Sequence, residues 1–322
     1  MSGAVKRPYW RKPMHNVCHI FKIYSVLLLL PGFFIFPVKL SADQEGILPL
    51  EDALAWEYPP GYIRIHYGEG EYQFGDLRLP SGPGPHPVAI MIHGGGWKAA
   101  YDISHFGKIA NRLTTMGIAT WSLEYRRLGN EGGGWPGTFQ DIANGADYLR
   151  VLTKTYPLDS GRAIVIGHSA GGHLALWTGG RNRISKHPDL MSSDPVSLLG
   201  VLALAPATDL AEYYRTQKVG MADFDNTIER LLGGSPEQFP ERYKHTSIVE
   251  MLPLGIRQIV VFGDLDIWTD DRYFATAEAA GDDITMIRAP GAGHFELIDP
   301  DSTPTWNLVA GAAFELLGMH SE

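Results

Sequence analysis

A serine in the middle of the chain stands in a pattern typical of an activated nucleophile. Residues 167–171 read Gly-His-Ser-Ala-Gly, which matches G-x-S-x-G and places Ser169 just after the apolar run 163–166. A sharp strand-to-helix turn would expose the serine hydroxyl above a sheet, and flanking glycines tolerate the crowding of such a turn. A glycine-rich turn with a capping serine is the structural alternative. The position after a predicted strand favours the nucleophile.

Three consecutive glycines follow another apolar run and could stabilise negative charge. Residues 93–97 read His-Gly-Gly-Gly-Trp and come directly after residues 88–92. Glycines leave backbone N–H groups accessible to a developing oxyanion, and the N–H of Ala170 would supply a converging donor. A phosphate loop of the Walker type would end in Gly-Lys-Ser/Thr, which is absent here. We predict an oxyanion hole, with His93 as a structural residue that fixes the loop.

A base and an acid for this serine follow in the last fifth of the chain. His294 lies in a glycine-rich loop just beyond the last predicted strand, so its imidazole can reach across to a neighbouring strand end. Asp264 and Asp266 follow the strand before it, and we favour Asp266 because a residue further into the loop reaches the histidine more easily. Asp264 is the alternative acid. The order serine, aspartate, histidine is that of α/β-hydrolases, not of trypsin-like or subtilisin-like proteases.

Strands that alternate with helices must hold these residues in place. Such alternation implies right-handed βαβ units and a mostly parallel sheet with helices on both faces, with function at the carboxyl ends of the strands. Residues 211–255 lack strand patterning and are predicted to form a small helical cap over the sheet, with a helical stretch near residues 226–232. The predicted strands are 63–67, 72–79, 88–92, 118–123, 163–166, 198–205, 258–262 and 284–287. The predicted helices are 103–116, 139–155, 272–280 and 306–317, together with one that starts within residues 173–178.

From residue 63 to residue 317 the sequence resembles the α/β-hydrolase superfamily. The motifs at residues 93–97 and 167–171 are similar to those of the acetyl-esterase/lipase and arylformamidase (kynurenine formamidase-like) branch. This resemblance implies an α/β-hydrolase fold with a helical cap insertion. The site that it implies consists of the nucleophile Ser169, the acid Asp266 and the base His294, with oxyanion donors at Gly95, Gly96 and Ala170.

The implied reaction is two-step acyl transfer from small acyl or aryl esters to water, without a metal or an organic cofactor. An arylformamidase that hydrolyses N-formyl amides such as N-formylkynurenine is the alternative enzyme. A non-catalytic α/β-hydrolase used as a binding module is the alternative from another class. We predict substrate contacts for Trp97 and Trp268. Residues 267–269, which include Trp268, stand where relatives often have a small apolar residue and a proline.

Composition excludes several other classes of protein. Of the 322 residues, 44% are hydrophobic and 20% are charged, which suits a globular domain with a sizeable core. The net charge is −9, and the first 42 residues hold six Lys or Arg and no acidic residue, so the remainder is more acidic still. An acidic body argues against nucleic acid as a partner. The single cysteine, Cys18, excludes disulfide frameworks and thiolate zinc sites.

Residues 1–42 are predicted to form a signal peptide. A basic region is followed by the apolar run 23–38 and then by small residues ending at Ala42. The run has 16 residues, fewer than the ~20 that a membrane-spanning helix needs. We therefore predict export to the periplasm or the medium, with an uncleaved signal anchor through residues 23–38 as the alternative. Residues 43–322 are predicted to form one domain that acts on a small ester or amide.

Overall fold

An eight-stranded sheet forms the centre of the fold. In chain order its strands are β1 (Ile63–His66), β2 (Phe74–Arg78), β3 (His86–Ile92), β4 (Ala119–Leu123), β5 (Leu158–His168), β6 (Gly200–Leu204), β7 (Arg257–Gly263) and β8 (Ile284–Ala289). They lie side by side in the order β1-β2-β4-β3-β5-β6-β7-β8. The pairs β1–β2 and β2–β4 are antiparallel, and every pair from β4 to β8 is parallel. The mostly parallel sheet predicted from the sequence is thereby confirmed.

The computed structural model describes residues 47–184, 189–190, 194–220, 226–267 and 272–320. The predicted signal peptide and Trp268 lie outside these residues. Among the helices within them, none combines the length and the apolar composition that a membrane crossing requires. The helices are α1 (Leu50–Leu54), α2 (Gly107–Thr115), α3 (Gly137–Asp147), α4 (Leu149–Leu152), α5 (Ala170–Gly179), α6 (Leu210–Gly220), α7 (Thr227–Leu232), α8 (Pro240–Lys244), α9 (Ile248–Met251), α10 (Arg272–Ala279) and α11 (Thr303–Leu317).

The core lies on both faces of the sheet. Every residue of β3, β4 and β6 is buried. Because successive side chains of a strand point to opposite faces, full burial means that both faces are covered. Burial on both faces explains why the sequence shows near-continuous apolar runs at these strands, from which the strands were predicted.

Several elements differ from their predicted bounds. β5 runs over Leu158–His168, longer at both ends than the predicted strand 163–166. The predicted helix 139–155 begins earlier, at Gly137, and is divided into α3 and α4 at Tyr148. In the predicted cap, the described residues form α6 to α9 and contain no strand.

Strand register brings the two glycine motifs together. β3 pairs with β5 in parallel, and Ile92 at the end of β3 lies opposite Gly167. The loop after β3 and the turn after β5 therefore leave the sheet side by side at its carboxyl edge. β7 and β8 end at the same edge, with Gly263 opposite Ala289, so the loops that carry the acid and base candidates emerge there too.

Candidate active site

Ser169 occupies a strained turn between β5 and α5. Its backbone has φ +56° and ψ −121°, a conformation that residues with side chains rarely adopt. Two hydrogen bonds hold the turn, because the Ser169 N–H donates to the Leu204 carbonyl oxygen at 2.8 Å and the His173 N–H donates to the Ser169 carbonyl oxygen at 3.0 Å. Such strain persists only where the surroundings over-determine it and is concentrated at functional sites.

The glycines on either side of the serine are required by close backbone contacts. A Cβ on Gly167 would lie 2.0 Å from the carbonyl oxygen of Gly171. A Cβ on Gly171 would lie 2.1 Å from the carbonyl oxygen of Ile92 on β3. No real side chain fits at these distances, so the spacing of the motif follows from the packing of α5 against β3 and β5.

A cavity of about 270 Å³ opens at the serine. Its wall is largely apolar and includes Leu54 from α1 and Phe295 from the loop after β8. Tyr213 and Thr227 of the predicted cap also line it. Of the residues predicted from the sequence, the lining includes Ser169, His294, Gly95, Gly96, Trp97 and Ala170.

Asp266 and His294 form a buried pair in which the histidine lines this cavity. The distance from His294 Nδ1 to Asp266 Oδ2 is 2.7 Å, and the Asp266 side chain has no exposed surface. A carboxylate accepts, so the imidazole donates from Nδ1 and its Nε2 carries the lone pair. Asp264, the other candidate acid, accepts instead from the Gly291 N–H at 2.7 Å. It thus contacts the backbone of the loop that carries His294, not the imidazole.

His168 connects the histidine loop to the serine turn. Its Nε2 lies 3.0 Å from the carbonyl oxygen of His294, and the two ring centroids are 4.5 Å apart. A carbonyl only accepts, so His168 donates this hydrogen bond from Nε2. Burial, reinforced by the charge of His294, lowers the pKa of His168 well below its usual value, so the ring is neutral. The residue before the serine therefore holds the backbone of His294 in place.

The glycine loop after β3 has a left-handed backbone at three successive residues. The φ angles are +100° at Gly95, +59° at Gly96 and +56° at Trp97. Within the described part of the chain, the N–H groups of Gly95, Gly96 and Ala170 donate to no other group. The N–H of Ala170 lies at the N-terminus of α5, where the helix dipole favours an anion. These donors are available to an oxygen that enters the cavity.

His93 anchors this loop from inside the protein. It is fully buried, and its Nε2 lies 3.2 Å from Glu124 Oε1. Tyr125 stacks on the ring at a centroid distance of 4.5 Å and donates from its hydroxyl to the His93 carbonyl oxygen at 2.8 Å. The side chain therefore fixes the loop, in agreement with the structural role predicted for it.

Sequence reasoning missed several aromatic residues of the cavity wall, two of which follow the glycine loop. His105 lines the cavity, and Tyr101 lines it where it packs on Gly95. Neither belongs to a motif, and no signal in the sequence distinguishes them from core residues. Trp97, for which a substrate contact is predicted, is among the residues that line the cavity. Trp268 lies outside the described residues.

Solved structures share this architecture. A truncated carbohydrate esterase from gut microbiota matches with a TM-score of 0.67 and 21% identity, covering 81% of this chain and 97% of that one. Esterase B from Lactobacillus rhamnosis matches with a TM-score of 0.67 and 20% identity, covering 83% of this chain and 90% of that one. At these identities the likeness establishes the fold, which is the α/β-hydrolase fold.

Curated relatives give a similar result at the level of sequence. Versiconal hemiacetal acetate esterase of Dothistroma septosporum is 28% identical over 213 residues, which is 63% of this chain and 61% of that protein. Esterase LipC of Mycobacterium tuberculosis is 24% identical over 259 residues, which is 77% of this chain and 63% of that protein. The chain thus spans about three fifths of the length of these relatives.

A protein-family model defines the relationship more closely. The model named BD-FAE matches residues 76–256, more than half of the chain. This stretch contains both glycine motifs and the serine turn, and it ends before Asp266 and His294. The serine turn, the glycine loop and the two strands that lead into them, β3 and β5, lie inside the matched region, and the chain belongs to the BD-FAE family.

Proposed function

We propose that this protein is a serine hydrolase that cleaves small acyl or aryl carboxylic esters through an acyl-enzyme intermediate. The observation that carries the proposal is the 2.7 Å contact between His294 Nδ1 and Asp266 Oδ2, beside a cavity that Ser169 also lines. Two curated relatives are esterases by name, which supports the same class of reaction.

The first half of the reaction begins with attack of the serine on the ester. Ser169 Oγ attacks the ester carbonyl carbon while His294 Nε2 removes its proton, and Asp266 stabilises the resulting imidazolium through Nδ1. The carbonyl oxygen becomes an oxyanion that accepts from the free backbone N–H groups of the glycine loop and of Ala170. Each such donor is typically worth about 3 kcal/mol in the transition state.

The second half releases both products. The bond between the carbonyl carbon and the alcohol oxygen breaks, and His294 Nε2–H gives its proton to the leaving alcohol. Water then attacks the acyl-enzyme with the same histidine as base, which frees the carboxylic acid and restores Ser169.

The size of the cavity supports a small substrate. Its volume of about 270 Å³ lies just below the range of roughly 300–1,000 Å³ that is usual for small-molecule sites. An apolar wall suits a short acyl chain or an aryl group. An N-formyl amide would react at the same atoms, so N-formylkynurenine belongs in the substrate panel.

Labelling with a fluorophosphonate tests the proposal directly. We expect one equivalent of probe on the folded protein, with mass spectrometry placing it on Ser169, together with hydrolysis of p-nitrophenyl esters that declines as the acyl chain lengthens. The fluorophosphonate reacts only with a serine that a neighbouring base activates. A folded protein that neither takes up the probe nor hydrolyses any ester or formamide of the panel would be a binding module instead.

A matched pair of glycine substitutions tests the oxyanion hole. Gly95→Ala is expected to lower kcat/KM for p-nitrophenyl acetate about 100–1,000-fold, the usual cost of losing one oxyanion donor. The added Cβ would lie 2.3 Å from the Cβ of Tyr101 and would displace the loop. At Gly96 the φ of +59° would place some strain on an alanine, but its new Cβ would have no atom within 4 Å, so the loop keeps its course and we expect a loss below tenfold. Equal losses in the two variants would contradict this account of the loop.

A further inference from the structure

One histidine in the cavity wall is not used by the reaction described above. His105 lies in the 3-10 turn Ile103–Phe106 and is 5% exposed. Its Nδ1 is 3.0 Å from the carbonyl oxygen of Asp102, and its ring meets the edge of His93 at 84° and 5.7 Å. A carbonyl only accepts, so Nδ1 carries the proton of the neutral ring. The lone pair of this imidazole is on Nε2.

The lone pair on Nε2 is a fixed acceptor. Burial, followed by the charge of His93, lowers the pKa of His105 to about 3, so the ring stays neutral at neutral pH. Among the described residues, the Asp102 carbonyl is the only hydrogen-bond partner of this side chain. The Asp102 side chain in turn caps the 3-10 turn by accepting from the Ser104 N–H at 2.8 Å, which fixes the direction of the ring. Nε2 is not one of the fully buried unpaired side-chain atoms of the described residues, so this acceptor is accessible from the cavity that His105 lines.

His105 shares the cavity with the histidine that protonates the leaving alcohol. His105 and His294 both line the cavity that opens at Ser169. His294 must reach the alcohol oxygen to protonate it, so the alcohol part of the substrate lies in the same cavity as His105. The ester group itself offers only acceptors, so any donor to Nε2 must come from elsewhere on the alcohol.

Building on the proposed ester hydrolysis, we propose that Nε2 of His105 accepts a hydrogen bond from a second, free hydroxyl on the alcohol part of the substrate. Esters of alcohols with an additional hydroxyl group are then better substrates than esters of simple alcohols of the same size. His105 is in this view a specificity-determining residue, and its effect depends on the substrate rather than on the chemical step.

A pair of nearly isosteric substrates tests this inference. Propyl acetate and 2-hydroxyethyl acetate differ by one methyl group in place of one hydroxyl, and butyl acetate and 3-hydroxypropyl acetate extend the reach by one carbon. For the wild-type protein we expect kcat/KM to favour the hydroxylated member of at least one pair about tenfold, the usual worth of one net hydrogen bond.

His105→Phe keeps a ring without an acceptor and is expected to lower that ratio at least tenfold. His105→Gln retains a donor for Asp102 and an acceptor for the substrate, and should recover most of the ratio.

His86 provides a matched control for the histidine substitution. It is also buried, but it lies at the opposite end of β3 from the glycine loop, so His86→Phe should leave the substrate ratio unchanged. A wild-type ratio at or below one for both pairs would overturn the inference even if His105→Phe failed to fold. An unchanged ratio in folded His105→Phe would also overturn it. In either case labelling at Ser169 reports separately on the proposed hydrolase.

Discussion

Ser169→Ala is expected to lower kcat for p-nitrophenyl acetate about 10⁴–10⁶-fold with the fold intact. The substitution removes the attacking oxygen and leaves the Cβ in place, so the backbone strain of the turn is the same. The backbone hydrogen bond from residue 169 to Leu204, 2.8 Å long, does not involve the side chain. Initial rates measured by nitrophenolate release give kcat, and circular dichroism with a thermal unfolding curve verifies the fold.

Ser122 is a matched control for this substitution. Its hydroxyl lies on β4, is buried and has no hydrogen-bond partner among the described residues. Ser122→Ala therefore removes the same atom from a buried position that the mechanism does not use, and kcat should stay within about twofold of the wild-type value. Undiminished hydrolysis by Ser169→Ala would show that another residue is the nucleophile. A similar loss in both variants would point to general disturbance of the sheet.

The sequence contains enough information to predict the sheet and the places where its loops emerge. Buried parallel strands need apolar side chains on both faces, and the run at residues 88–92 shows this requirement without ambiguity. The two glycine motifs could be placed because backbone crowding admits only glycine there. A Cβ on Gly171, for example, would lie 2.1 Å from the carbonyl oxygen of Ile92. Local requirements of this kind leave a local pattern in the sequence.

Side-chain directions in loops leave no such pattern. Asp264 and Asp266 are two residues apart in one loop, and their roles separate only because the Gly291 N–H, from the next loop, binds Asp264. His105 reaches the cavity from a turn that packs on His93, a contact that depends on the tertiary fold. Leu54 lines the cavity from α1, which precedes the first strand. Long-range packing decides all three positions, so spacing favours Asp266 over Asp264 without fixing its contact, and it does not reveal His105 or Leu54.

Asp266→Asn is expected to lower kcat for p-nitrophenyl acetate about 10³–10⁴-fold. The carboxylate accepts from His294 Nδ1–H at 2.7 Å, which favours the tautomer whose Nε2 lone pair can take the serine proton. An asparagine amide at the same place can donate to Nδ1 and so stabilise the tautomer that carries its proton on Nε2. That tautomer cannot act as a base toward Ser169, and loss of an orienting aspartate typically costs about 10⁴-fold for this reason. The rate of fluorophosphonate labelling should fall with kcat, because both reactions need the same base.

Asp264→Asn is the matched control, and its comparison with Asp266→Asn separates the two candidate acids. Asparagine at residue 264 retains an oxygen that can accept from the Gly291 N–H, so the histidine loop keeps its anchor and we expect a loss below tenfold. The reverse order of effects would make Asp264 the acid and would require the loop after β7 to rearrange when substrate binds. Equal and small effects would mean that the buried 2.7 Å contact orients a histidine that does not act as the base.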